Sequence, residues 1–159
     1  LLQSFLNLDQ SKFKLNIFGD GFLLDDLKKQ FNFNKNITFF GHVNDLQLHL
    51  DDCVDIFILP STIPESSSLV LQQAISRSIP VITTNVGGQK YFVKNNFNGV
   101  LIDVNDQESI IFAIKYIVEN YSSMSKNCII FSEQFINEEL YLHNFINTIN
   151  NVNENITVR

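Results

Sequence analysis

One carboxylate, Glu65, stands out in this 159-residue chain, within Pro64-Glu65-Ser66-Ser67-Ser68-Leu69-Val70-Leu71-Gln72-Gln73-Ala74. The apolar run before it, Asp55 to Leu59, reads as a buried parallel strand. Pro60 and Ser61 end that strand, and Pro64 bars continued helix or sheet. Ser66 to Ser68 then open a helix whose apolar face carries Leu69, Val70, Ala74 and Ile75. Glu65 therefore lies in a loop at the carboxyl end of a strand, where open α/β sheets bind ligands. The N–H groups of Ser67, Ser68 and Leu69, having no partner inside the helix, would face an anion placed there. The plainer alternative is a solvated loop carboxylate ahead of ordinary serine capping.

Two glycine turns must flank that loop if it is a site. Leu15-Asn-Ile-Phe-Gly-Asp-Gly21 is a strand ending in Gly19 and Gly21. It lacks the third glycine of a dinucleotide fingerprint, so a nicotinamide reading is weak. Ile79-Pro-Val-Ile-Thr-Thr-Asn-Val-Gly-Gly88 is a second strand, running into Gly87 and Gly88, whose missing Cβ atoms would let backbone approach a ligand closely. Strand candidates are Lys14–Phe18, Ile37–Gly41, Asp55–Leu59, Val81–Thr83 and Gly99–Ile102. Helix candidates are Phe22–Phe31, Asp45–Asp51, Ser67–Arg77, Gln89–Asn95 and Asp106–Asn120, followed by amphipathic stretches Ser123–Phe131 and Asn137–Asn150. Asp106 reads as an N-cap, and Asn98-Gly99 as the turn into the last strand. Alternation of strands and helices predicts βαβ units, hence an α/β, Rossmann-like parallel sheet with helices on both faces. Residues 1–150 form one domain in this reading, and 151–159 a polar tail.

Composition narrows the function classes. With 45% hydrophobic and 18% charged residues the chain is globular and poor in charge. A net charge of −6 argues against nonspecific nucleic-acid binding, which needs Lys and Arg against phosphates, but not against one nucleotide in a local pocket. Cys53 and Cys128 lack C-x-x-C spacing and read as reduced, buried thiols of a cytoplasmic protein. No apolar run reaches the ~20 residues that cross a bilayer. His49 and His143 show no metal-ligand spacing and read as structural, and His42 as a surface loop histidine. No Asp-x-Asp stands at a strand end, consistent with chemistry that uses no metal.

Five stretches, in order and spacing, carry a resemblance. They are Ile17–Gly21, Ile37–Val43, Asp55–Ser61, the Glu65 motif, and Pro80–Gly88. Together they resemble the C-terminal, nucleotide-sugar-binding domain of GT-B glycosyltransferases of the family 4 clan, over roughly residues 1–150. The resemblance implies transfer of a sugar from a nucleotide-diphosphate sugar to an acceptor hydroxyl with retention, in bacterial surface polysaccharide or glycoconjugate synthesis. It implies no cofactor, and a place in the cytoplasm, at or near the inner face of the membrane. Glu65 would be the catalytic-site carboxylate touching hydroxyls of the donor sugar. Gly41, His42 and Val43 would lie beside the base. Gly19, Gly21, Ser67, Ser68, Leu69, Gly87 and Gly88 would line the donor. Gln73 stands where the family has a second glutamate on the ribose. An amide offers one acceptor oxygen and a donating nitrogen where a carboxylate only accepts.

The chain departs from that family elsewhere. Serines replace the usual Phe-Gly before Leu69, and Tyr91 replaces an acidic residue after Gly88. Nothing matches the Gly-Arg and Glu-Lys-Gly loop that grips the donor's phosphates, nor the strand before it. Leu1-Leu-Gln-Ser-Phe-Leu reads as the end of a helix, so the resemblance implies an N-terminally truncated domain without its first, central strand or the acceptor-binding domain that takes the saccharide or lipid-linked acceptor. Two other readings stand beside this one. A GT-B nucleotide-sugar epimerase would share the donor pocket but need clustered acid/base residues. A non-catalytic binding domain derived from the fold is favoured by Gln73, Ser68 and Tyr91.

Overall fold

The structure is a computed structural model that describes residues 1–64, 66 and 68–136. The order of elements is α1 (Leu2–Leu6), β1 (Leu15–Phe18), α2 (Leu24–Phe31), β2 (Ile37–Gly41), α3 (Leu46–Cys53), β3 (Phe57–Leu59), α4 (Leu69–Ser76), β4 (Val81–Thr84), a 3-10 turn (Gln89–Tyr91), β5 (Gly99–Ile102) and α5 (Gln107–Ile136). Every ladder is parallel, as the βαβ alternation requires. The strands form two sheets, β1-β2 and β3-β4-β5. No ladder joins β1 to β3, and in the family resembled the first strand lies at that position.

One apolar cluster spans both sheets. Leu15 and Ile37 from the first and Ile82, Val100 and Ile102 from the second pack with Phe5, Ile110, Ile114 and Ile117. The opposite face is sealed by Leu50, Leu71, Ala74, Ile75 and Val81. β4 is buried along its whole length, which is why its sequence is nearly continuous in apolar and hydroxyl side chains. β5 lies so close to β4 that only glycine fits at position 99. A Cβ there would run into the Val81 carbonyl and sit 2.8 Å from Val81 Cγ2.

All five strands among the described residues and most helices fall where the sequence places them, and three expectations are corrected. The stretches Asp106–Asn120 and Ser123–Phe131 are one 30-residue helix. Ser122 and Ser123 are exposed and do not interrupt it, while Met124, Cys128 and Phe131 keep the buried stripe going at helical spacing. The stripe also changes partner along α5, from the cluster shared by both sheets to the α4 side at Cys128 and Phe131. The predicted helix Gln89–Asn95 is only a 3-10 turn. Buried Asn98 ends it, accepting from Lys94 N at 2.8 Å and donating to the Phe92 carbonyl at 3.0 Å. Asp106 caps α5 as expected, accepting from Glu108 N and Ser109 N at 3.0 Å each. Cys128 is buried, but Cys53, read as a buried thiol, is exposed because it ends α3 at the surface. The stretch Asn137–Asn150 and the tail lie outside the described residues.

Candidate donor site at the carboxyl edge of the sheets

Parallel strands send their following loops to one edge of their own sheet, so the loops after β1 and β2 lie together, as do those after β3, β4 and β5. Gly19 follows β1 with φ of 124°, a conformation that costs a side chain about 1–2 kcal/mol. Its N–H donates to the Gly41 carbonyl at 2.8 Å, tying the first two loops together. Gly21 takes a bond from its neighbour, its N–H donating to Asp20 Oδ1 at 2.7 Å. A Cβ at Gly21 would meet nothing within 4 Å, so the fold itself gives no reason for glycine there. Gly41 sits at a register shift opposite Phe18. His42 is exposed and Val43 half-buried beside it. Underneath, His49 packs on the rings of Phe18 and Phe40 at 5.1 and 5.0 Å, which bears out its structural reading.

The β3–α4 loop carries the central carboxylate. Glu65 and Ser67 lie outside the described residues, but their flanks are placed. Ser68 is the N-cap of α4, with extended backbone angles. Its side chain does not cap the helix, contrary to the plain reading. The hydroxyl is buried, with Ser68 only 3% exposed, and finds no partner among the described residues. Leaving a buried hydroxyl unbonded costs about 1–3 kcal/mol. The first turn of α4 itself carries no acidic residue. Leu69 opens the helix and is largely exposed. One turn on, Gln73 is half-buried and lines a groove of about 270 Å³ with Leu69, Phe92 and Phe131. Its main-chain carbonyl accepts from Arg77 Nη1 at 3.2 Å.

Gly87 and Gly88 complete the edge beyond β4. Gly87 has φ of 57°, and Gly88 is buried with helical angles at the start of the 3-10 turn. Tyr91 stands 70% exposed where the family has an acid. Two residues that the sequence reading passed over hold this turn. Thr84 Oγ1 lies 2.6 Å from the Ser61 carbonyl and 3.2 Å from the side chain of Gln89, which is fully buried. A threonine ending a buried strand just before a Gly-Gly turn was the available signal, whereas nothing in the sequence marked Gln89 as interior. A second cleft, of about 220 Å³, opens beside Pro60 and Thr84. Asp103 and Asp106 line it and disfavour a diphosphate there.

Comparisons with known proteins give the family and the fold. Residues 1–135 match the family described as "Glycosyl transferases group 1". An Escherichia coli UDP-Gal:alpha-D-GlcNAc-diphosphoundecaprenol alpha-1,3-galactosyltransferase is 36% identical over 118 residues, 70% of this chain and 30% of the relative. The E. coli O-antigen biosynthesis glycosyltransferase WbnH is 30% identical over 129 residues, 80% of this chain and 36% of the relative. The chain thus spans about a third of the length of these relatives. Among solved structures, Anabaena Alr3699/HepE in complex with UDP superposes with a TM-score of 0.79 at 19% identity, over 95% of this chain and 44% of that one. The fold is the Rossmann-like α/β layer of GT-B glycosyltransferases. Among the described residues no helix is long and apolar enough to cross a membrane. By its match over residues 1–135, the chain belongs to the glycosyl transferases of group 1.

Proposed function

We propose that this chain is the donor-binding part of a retaining glycosyltransferase that moves a sugar from a nucleotide-diphosphate sugar to a saccharide or lipid-linked acceptor in surface polysaccharide or glycoconjugate synthesis. The observation that carries the reading is the N-terminus of α4, which follows the loop after β3 and has no acidic residue in its first turn, together with the buried Ser68 hydroxyl, unpartnered among the described residues. Unpaired donors there suit a diphosphate. Support for the substrate class comes from relatives named for UDP-galactose and O-antigen, and from a solved neighbour that holds UDP.

In this mechanism negative charge builds on the leaving diphosphate while the sugar gains oxocarbenium character. Donors fixed in advance at the α4 N-terminus stabilise the charge as it develops. Glu65 orients the sugar through its hydroxyls, Gln73 contacts the ribose, and the Gly41–Val43 turn lies beside the base. No metal takes part, the protein works in the cytoplasm, and the acceptor is bound by a separate segment.

Activity of the full-length protein against a panel of nucleotide sugars, with the product anomer read by NMR, tests the reading. A retained anomeric configuration and turnover unaffected by a chelator are expected; inversion, or loss of activity with the chelator, contradicts the mechanism. Glu65→Gln should depress turnover more than UDP affinity, because Glu65 meets the sugar. Gln73→Glu should tighten UDP by about 1 kcal/mol, since a charged acceptor replaces a neutral one. Equal loss of UDP and UDP-sugar binding in Glu65→Gln, with no change in Gln73→Glu, would remove both assignments.

A further inference from the structure

Gln89 follows the Gly87-Gly88 turn directly and is completely buried, at the start of the 3-10 turn. Its partners fix the direction of a short chain of hydrogen bonds. Thr84 Oγ1 lies 2.6 Å from the Ser61 carbonyl oxygen, which only accepts, so the single hydroxyl proton of Thr84 points at Ser61. The same proton is then not available to Gln89. Its amide nitrogen must therefore donate to Thr84 Oγ1, at 3.2 Å, and the same nitrogen faces the carbonyls of Thr84 at 3.2 Å and Val86 at 3.3 Å. The chain reads Gln89 N–H to Thr84 O–H to Ser61 carbonyl. One end closes the turn that bears Gly87. The other pins the start of the loop that runs from Pro60 through Glu65 to Ser68. Thr83, one residue back, adds a parallel latch by donating to the Leu59 carbonyl at 2.9 Å.

The structure assigns Gln89 as a positioning residue that sets the Gly87-Gly88 turn and the start of the β3–α4 loop at Ser61 against each other through the Thr84 hydroxyl. This rests on the donor-binding reading above. Gln89 itself touches no substrate. Being buried behind the turn, it acts by holding main chain that would otherwise choose among several conformations, and a displacement of about 1 Å in a positioned group is enough to cost much of a site's function.

The test uses the full-length protein with UDP as probe, measuring affinity by calorimetry and thermal midpoint on the same samples. Gln89→Met keeps the length and removes the donor; Thr84→Val removes the hydroxyl that relays it. Each should weaken UDP about tenfold or more, because buried carbonyls and the Ser61 loop lose their partners. Thr84→Ser, which retains the hydroxyl, should restore affinity close to wild type. The double variant Gln89→Met, Thr84→Val should bind no more weakly than the worse single one, since either change already breaks the chain. A purely structural role would lower the thermal midpoint of Gln89→Met while leaving UDP affinity at the wild-type value, and that result overturns the inference. Additive losses in the double variant overturn it as well. If Gln89→Met does not fold, Thr84→Val against Thr84→Ser decides by the same criteria. A wild-type protein that binds neither UDP nor ADP, GDP or dTDP defeats the donor-site reading itself, and this inference with it.

Discussion

The two sheets have very different support. β4 is buried along its length, flanked by β3 and β5, and covered on one face by α4 and on the other by α5. Its loop is latched to the next by two threonine hydroxyls and a buried amide. The β1-β2 pair has one fully buried residue in β1 and two in β2. Its two loops are joined by a single main-chain bond, Gly19 N–H to the Gly41 carbonyl. A two-stranded sheet is marginal by itself, and here it depends on the cluster shared with α1 and α5. The contrast teaches that the β3–β4 half is a rigid frame in its own right, while the geometry of the β1–β2 half depends on the cluster it shares with α1 and α5.

The largest effect that would break this comparison belongs to Gly99. A methyl group there meets the Val81 main chain and cannot be relieved by a rotamer change. Gly99→Ala should destabilise the fold by about 3 kcal/mol, at the upper end of overpacking costs, as read by chemical denaturation. A loss no larger than that of a surface substitution would mean β4 and β5 are not as close as described.

Next comes the pair Gly87→Ala and Gly21→Ala. Gly87 holds φ of 57°, so alanine should cost about 1–2 kcal/mol. Gly21 has open space and no left-handed φ, so alanine there should leave stability unchanged. If UDP affinity nonetheless falls in Gly21→Ala, the open space at that turn is where ligand approaches. Equal stability losses at the two positions would contradict the assignment of the frame to β4.

The smallest effect is a pH dependence seated in α5. Burial pushes the Cys128 thiol up from 9.0 to about 12. Below pH 9 the thiol is neutral in both folded and unfolded chains and contributes no slope. Above it the unfolded chain ionises first, so the folded state binds more protons and stability falls as pH rises toward 12. Denaturation at pH 8 and pH 10, with Cys128→Ala as the reference, should show a steeper decline for the wild-type chain. The exposed Cys53 should react with a thiol reagent in the native protein while Cys128 stays protected. An equal rate at both would place Cys128 outside the core.

Much of this frame was legible before any coordinates. The strands Ile37–Gly41 and Gly99–Ile102 have the bounds the sequence predicts: Gly99–Ile102 is a nearly uninterrupted apolar run because it is largely buried, and Ile37–Gly41 is β-branched and aromatic with alternate residues exposed. The two stretches Asp106–Asn120 and Ser123–Phe131 are one helix because Ser122 and Ser123 lie on an exposed face and do not stop a helix whose buried stripe continues. The 3-10 turn was read as a helix because its end is set by Asn98, nine residues beyond Gln89, through bonds that no local pattern reveals. The plainer alternative for Ser68, ordinary capping by its side chain, is not what the structure has, because its hydroxyl is buried and unbonded among the described residues. Gln89 was passed over because burial of a polar side chain after Gly-Gly depends on the Thr84 and Ser61 groups that meet it in space.

The central claim is that a nucleotide diphosphate sits at the α4 N-terminus, against the latched half of the edge. A crystal structure of the full-length protein grown with UDP measures this directly. The account predicts diphosphate oxygens within hydrogen-bond reach of the Ser68 hydroxyl or the Leu69 N–H, with the Gly87-Gly88 turn alongside and the base near Gly41–Val43. An ordered UDP in the groove between α4 and α5, or in the cleft beside Asp103 and Asp106, with the Ser68 hydroxyl still unpartnered, would contradict it.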